Sequence, residues 1–149
     1  MRIYILLAAC ALLLSGCMAF RTSEAEIARA EARWNAAAIP GYRFDLRISA
    51  LTPVSRCANE NGAITVIVRN SRTAAYGTCA EPPAFESSPA SIPALFQMAR
   101  DARQDGAPGL KIRFDQVRGY PQVIQITTSR WITDATFVYS VDNFQVLSE

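Results

Sequence analysis

Few residues in this chain could do chemistry, and the most versatile type is missing. The sequence contains no His. That removes Ser-His-Asp and Cys-His nucleophilic catalysis, imidazole metal sites and the usual general base near neutral pH. Carboxylates remain. Asp115 closes an alternating apolar segment and stands six residues before Pro121, with Gly119-Tyr120-Pro121 completing a turn. A lone acid without a second carboxylate or a metal cluster is a poor catalyst. Asp115 is therefore expected to accept backbone N–H bonds within the turn. Gly119 takes a backbone angle other residues avoid, Pro121 fixes one, and Tyr120 is expected to lay its ring over the hairpin. The functional alternative is an exposed Tyr120 that touches a ligand or partner. Asp101 and Asp105 sit beside Arg100 and Arg103 and read as a solvated helix face. No EF-hand spacing, Gly-x-Ser-x-Gly, phosphate loop or dinucleotide fingerprint occurs. The expectation is a protein that is not an enzyme and uses no metal or cofactor.

Thiol chemistry is the better lead. Arg2 gives a short positive start, and Ile3–Leu14 form an apolar run of 12 residues. A membrane-spanning helix needs about 20, so the run has the length of an export-signal core. Leu14-Ser15-Gly16-Cys17 follows: a large apolar residue, two small ones, then Cys. This resembles the lipobox of bacterial lipoproteins. The resemblance implies cleavage before Cys17, diacylglycerol on its thiol and an acylated amine, which would tie the chain to a lipid bilayer. Several acyl chains anchor far better than one, because each buried methylene adds about 0.8 kcal/mol. The competing reading is an uncleaved membrane helix, which would not require Cys directly after Ser-Gly. Met18, rather than Asp, follows Cys17, and that resembles the outer-membrane default, facing the periplasm. Cys10 would leave with the signal. Cys57 and Cys79 remain, 22 residues apart. In an oxidising exported compartment a structural disulfide is expected, stabilising by about 3 kcal/mol. A redox or zinc pair is the alternative, but the spacing and the lack of His argue against it.

Charge narrows the partners. Without Met1–Gly16 the chain keeps 133 residues, 14 basic against 13 acidic. That balance does not suit nucleic acid or a polybasic membrane patch. The length suits one core and one domain.

The elements that must position these residues can be read from spacing. Ser23-Glu24-Ala25-Glu26 forms a capping box. Ile27, Ala30, Trp34 and Ala37/Ala38 then share a helical face, which Ile39-Pro40-Gly41 ends. Tyr42, Phe44, Leu46 and Ile48 alternate with Arg43, Asp45, Arg47 and Ser49, as in a strand with one buried face. A loop holding Pro53 and Cys57 leads to a turn at Asn61-Gly62. Ile64, Val66 and Val68 alternate next; Asn70-Ser71-Arg72 turns into a short strand, Thr73–Tyr76. Glu81–Pro89 is a Pro/Ser-rich loop. Ser91 caps a helix over Ile92–Arg103 with Ile92, Leu95, Phe96, Ala99 and Ala102 as its stripe. Strands over Leu110–Phe114, Gln122–Ser129 and Ala135–Asn143 complete the chain, the last two joined by a turn at Thr133-Asp134. The spacing predicts an α+β fold of order α-β-β-β-α-β-β-β, antiparallel and covered on one side by helices. Its parts are a signal over Met1–Gly16, a lipidated tether over Cys17–Thr22 and one domain over Ser23–Glu149. The two αβββ halves share a rhythm that could mark a repeat. If the strands share a sheet, Arg43, Arg47, Arg69, Lys111 and Arg113 share its wet face. That would be either a basic platform for an anionic partner or a charge ladder with Asp45 and Asp115.

Trp34, the Tyr42–Ile48 strand, Cys57 with Cys79, Phe96, Phe114-Asp115-x-x-x-Gly119-Tyr120-Pro121 and Asp134 together resemble the DUF6174 family of bacterial envelope proteins. The resemblance spans nearly all of Glu24–Leu147, and its most specific piece is the Phe-Asp…Gly-Tyr-Pro run. The family's next strand often ends in Asp, where this chain has Thr127-Thr128-Ser129. The resemblance implies no activity, substrate or catalytic residue. The expected function is therefore a lipid-anchored envelope domain that acts by binding another envelope protein or a cell-wall component. The alternative is an inhibitor or accessory factor of a cell-wall lytic enzyme, acting through a loop such as Glu81–Pro89.

Overall fold

The computed structural model describes residues 21–50, 63–77, 89–132 and 135–148. Helix α1 spans Glu24–Ala36. It starts where the Ser23 hydroxyl accepts the Glu26 N–H at 3.2 Å and the Glu26 carboxylate accepts the Ser23 N–H at 2.6 Å. This reciprocal pair satisfies two N–H groups that a helix start leaves open, and the Ser23 backbone N–H holds the Glu26 carboxyl below its ordinary range. Ile27, Ala30 and Trp34 are buried. The expected stripe overran the helix: Ala37 and Ala38 are exposed, because the chain turns out at Ala38, whose φ is +45°.

Strand β1 covers Gly41–Ala50, β2 covers Ala63–Arg69 and β3 covers Arg72–Tyr76. Asn70 and Ser71 join β2 to β3 with φ of +48° and +62°, the left-handed pair that a two-residue hairpin requires. Helix α2 spans Ile92–Gln104, with the Ser91 hydroxyl accepting the Ala94 N–H at 3.2 Å. Strands β4 (Gly109–Phe114), β5 (Pro121–Thr127) and β6 (Thr136–Val146) follow. The expected α+β order holds, and all six strands form one antiparallel sheet, β3-β2-β1-β6-β5-β4. Phe44, Leu46, Ile64, Val66, Leu110, Ile124 and Val141 bury one face against Ile27, Ala30, Ile92, Leu95, Phe96 and Ala99 of the helices.

Strand starts differ from the spacing by one residue, and two strand ends differ by more. β5 stops at Thr127, not Ser129, and β6 continues past Asn143 to Val146. The cause in β6 is a bulge. Arg43 pairs with Gln145 but Asp45 pairs with Asp142, so one residue of β6 is extra, and Asn143 has φ +51°. A bulge of this kind shifts the side-chain alternation by one. Tyr139 and Val141 point to the core before it, and Phe144 packs against the core after it.

The halves are not a rotational repeat. Both helices cover one face, and each half is a meander. Reading across the sheet in one direction gives β3-β2-β1 and then β6-β5-β4, yet β1 and β4 run in opposite directions. Seen from the helices with the first strand pointing up, the next strand lies on opposite sides in the two halves. No rotation relates such units.

The domain begins earlier than Ser23. The Thr22 N–H donates to the Leu110 carbonyl at 3.0 Å, and the Ile112 N–H donates to the Thr22 hydroxyl at 2.8 Å. Thr22 thus lies along the β4 edge. Its carbonyl accepts from Arg103 at 3.2 Å, and Arg21 donates to the Ala107 carbonyl. The stretch read as tether is already domain at Arg21 and Thr22. The lipobox with Cys17, the Cys57–Cys79 pair, the loop at 81–88 and the turns at Asn61-Gly62 and Thr133-Asp134 lie outside the described residues.

Candidate functional site

The Phe114–Pro121 segment is a closed turn. The Asp115 carboxylate accepts the N–H of Val117 at 3.1 Å and of Arg118 at 2.6 Å. Its backbone N–H donates to the Tyr120 carbonyl at 2.8 Å, and its carbonyl accepts from Gly119 at 3.0 Å. Asp115 therefore sits where a turn-holding acid should. Gly119 is required at its place: φ is +84°, and a Cβ there would overlap the Ala30 carbonyl oxygen of α1. The turn is thus the surface on which α1 rests.

Tyr120 has its expected structural place. Only 7% of it is exposed, so the exposed contact that the ligand alternative needs is not formed. Its ring stacks on Phe144 with centroids 4.4 Å apart and meets Trp34 edge-on at 6.3 Å. Trp34 also meets Tyr42 and Phe144 edge-on, at 5.2 and 5.8 Å. Four rings from α1, β1, the turn and β6 make one cluster, and Arg118 lies over Phe144, 5.9 Å from its centre. Burial pushes the Tyr120 phenol above its ordinary pKa. The Tyr42 phenol moves the same way, also through burial, while its oxygen accepts the Ile92 N–H at 3.2 Å and so caps α2.

The sheet's other face carries the charged candidates. Arg43 and Arg47 lie on β1, while Lys111 and Arg113 lie on β4, with β6 and β5 between. Strands stand about 4.8 Å apart, so the two groups are separated by about 14 Å. One cross-strand row runs Arg47, Ser140, Val123, Arg113. A continuous basic platform is not present: Asp45 and Asp142 interrupt the β1 side, and Val123, Gln125, Val138 and Ser140 lie between Arg47 and Arg113.

The charge ladder is also different from the expected one. Asp45 stands directly opposite Asp142, an arrangement that like charges disfavour. Arg47 relieves it, with its Nε 3.2 Å from Asp142. Asp45 accepts from the Asn143 amide at 2.8 Å and the Thr65 hydroxyl at 2.7 Å. The Asn143 bond is the largest effect holding its carboxyl below the ordinary range; Thr65, Arg43 and Arg47 add to it. Asp115, spent on its own turn, takes no part. Asp142 and Asn143 were missed because their roles depend on the bulge, although Asp142 does keep the polar phase of Ser140. The Arg43 Nε is buried without a hydrogen-bond partner.

Between the start of α1 and the end of α2 is a cleft of about 320 Å³, lined by Arg21, Glu24, Arg100, Arg103 and Ala107 among others. Arg100 pairs with Glu31 at 2.5 Å, joining the helices. Among the described residues no three His, Cys, Asp or Glu stand together as a possible metal site.

Fold and site together define a small α+β domain, with two helices on one face of an antiparallel sheet and a packed turn at its most distinctive motif. The chain belongs to the DUF6174 family, a family of unknown function, whose profile matches residues 26–146. No curated protein and no solved structure matches it.

Proposed function

We propose that this protein is a membrane-anchored envelope lipoprotein whose α+β domain is a non-enzymatic binding module. The observation that carries the reading is Leu14-Ser15-Gly16-Cys17 directly after a 12-residue apolar run. The domain's start supports it: with Arg21 and Thr22 docked on β4 and α2, only three residues lie between Cys17 and the folded body. The expected membrane is the outer one, with the domain in the periplasm.

A binding role is favoured because the best catalytic candidates already have structural work. Asp115 holds its turn, Asp45 holds the bulge, and Tyr120 belongs to the ring cluster. The surface offered to a partner is the sheet face that no described helix covers, with Arg47 and Arg113 flanking Val123 and Ser140. Its partner is another envelope protein or a cell-wall component. Exchange of Cys17 for Ala should move the protein from the membrane fraction to the soluble one. Crosslinking in intact cells should then capture a partner with the wild type and lose it with Arg47→Glu. Unchanged capture by Arg47→Glu removes the sheet face from the account.

A further inference from the structure

The described chain begins at one end of the sheet. Strands β5 and β4 place Thr127 beside Gly109, and Thr127 also pairs with Thr136 at the start of β6. The β5–β6 connection therefore leaves the sheet at the end where α2 runs into β4. Arg21 is bound to Ala107 at that same end. Among the described residues, large apolar side chains stand exposed at both ends of the sheet, three at this end and two at the other. Trp131 is 94% exposed and Ile132 62%, both on the β5–β6 connection, and Tyr76 closes β3 at this end. Val117 and Val146 are the others, at the opposite end. The Trp131 connection is held at its base, where the Thr128 N–H donates to the Ala135 carbonyl at 2.8 Å and the Trp131 N–H donates to the Ser129 hydroxyl at 3.2 Å. Trp131 and Ile132 are thus consecutive exposed apolar residues on a braced turn.

We propose that Arg130-Trp131-Ile132 is a second membrane contact, with a lipid bilayer surface as its occupant. The inference rests on the reading that Cys17 is acylated. Four residue steps separate Cys17 from Arg21, which reach at most about 14 Å. A lipid on Cys17 therefore holds the bilayer surface within that distance of the end that carries Trp131. Trp favours the headgroup level, where its ring is buried and its N–H stays hydrated. Arg130 stands exposed at this end to meet lipid phosphates, as does Arg103, which also donates to the Thr22 carbonyl; Glu24 and Asp105 are exposed acids at the same end. Two contacts fix the domain's orientation where one acylated residue would leave it to swivel. The turn around Asp115 and Tyr120 lies at the far end of β5, about 20 Å further from the bilayer.

Trp34 and Trp131 are the two Trp residues of the chain, and Trp34 is buried. The acylated protein is reconstituted into vesicles of phosphatidylethanolamine and phosphatidylglycerol, with plain or brominated acyl chains. Bromine should quench most of the emission lost in Trp131→Phe, and the emission remaining in Trp131→Phe should not change. Equal emission in plain and brominated vesicles, from acylated protein that floats with them, overturns the proposal alone. Protein that carries no acyl group at Cys17 and does not float overturns the anchoring reading, and this proposal with it.

Discussion

Gly119 shows how much of the fold can depend on one hydrogen atom. Its positive φ and its contact with the Ala30 carbonyl leave no space for a methyl group. Gly119→Ala should lower unfolding stability by about 3 kcal/mol, from backbone strain plus displacement of α1. Denaturant unfolding measures this. Tyr120 beside it provides the paired test: Tyr120→Ala should lose about 3 kcal/mol through the ring cluster, and Tyr120→Phe should change little. Asp45 governs acid behaviour at the same scale. Its carboxyl is lowered chiefly by Asn143, so its contribution is present above the ordinary carboxylate value of about 3.9 and is lost as pH falls below it. Asp45→Asn should be less stable than wild type at pH 7, and the difference should shrink below about pH 4. A constant difference across that window would contradict the assignment.

Among the elements, what was legible in the sequence and what was not divide along physical lines. The Ser23/Glu26 cap, the alternation over Tyr42–Ile48 and the stripe from Ile92 to Ala99 are local patterns, and each forms as read. The end of β6 was not legible. Phe144 falls out of phase with Tyr139 and Val141, and only pairing with β1 turns that misfit into a bulge. Arg21 and Thr22 gave no signal either, because docking on a strand edge is a tertiary event between residues 90 apart. The turn's role was legible from Asp115, Gly119 and Pro121; the burial of Tyr120 against Trp34 and Phe144 needed the fold. Tyr42 links strand and helix in the same non-local way. Tyr42→Phe leaves the buried Ile92 N–H without an acceptor, so it should lose about 2 kcal/mol. A thermal or denaturant midpoint equal to wild type would show that the cap is not formed in solution.

At the scale of the whole molecule, one sheet separates the helical face from a face that no described helix covers, and its two ends also differ. Arg21, the end of α2 and the Trp131 connection gather at one end. The Asp115 turn and the ring cluster gather at the other. The ring-cluster end is structural reinforcement, and under the proposed acylation of Cys17 the Arg21 end is the one nearest the lipid. The sheet face without a described helix lies between them, so under the proposed anchoring a partner bound there would be held close to a bilayer.

The proposed anchoring, and the second membrane contact with it, depends on Cys17. Intact-mass analysis of the mature protein, purified in detergent from membranes of its native or a bacterial host, tests it most directly. The expected mass is that of a chain that begins at Cys17 and carries diacylglycerol plus an amide-linked acyl chain. A chain that keeps residues before Cys17, or begins there without lipid, would contradict it.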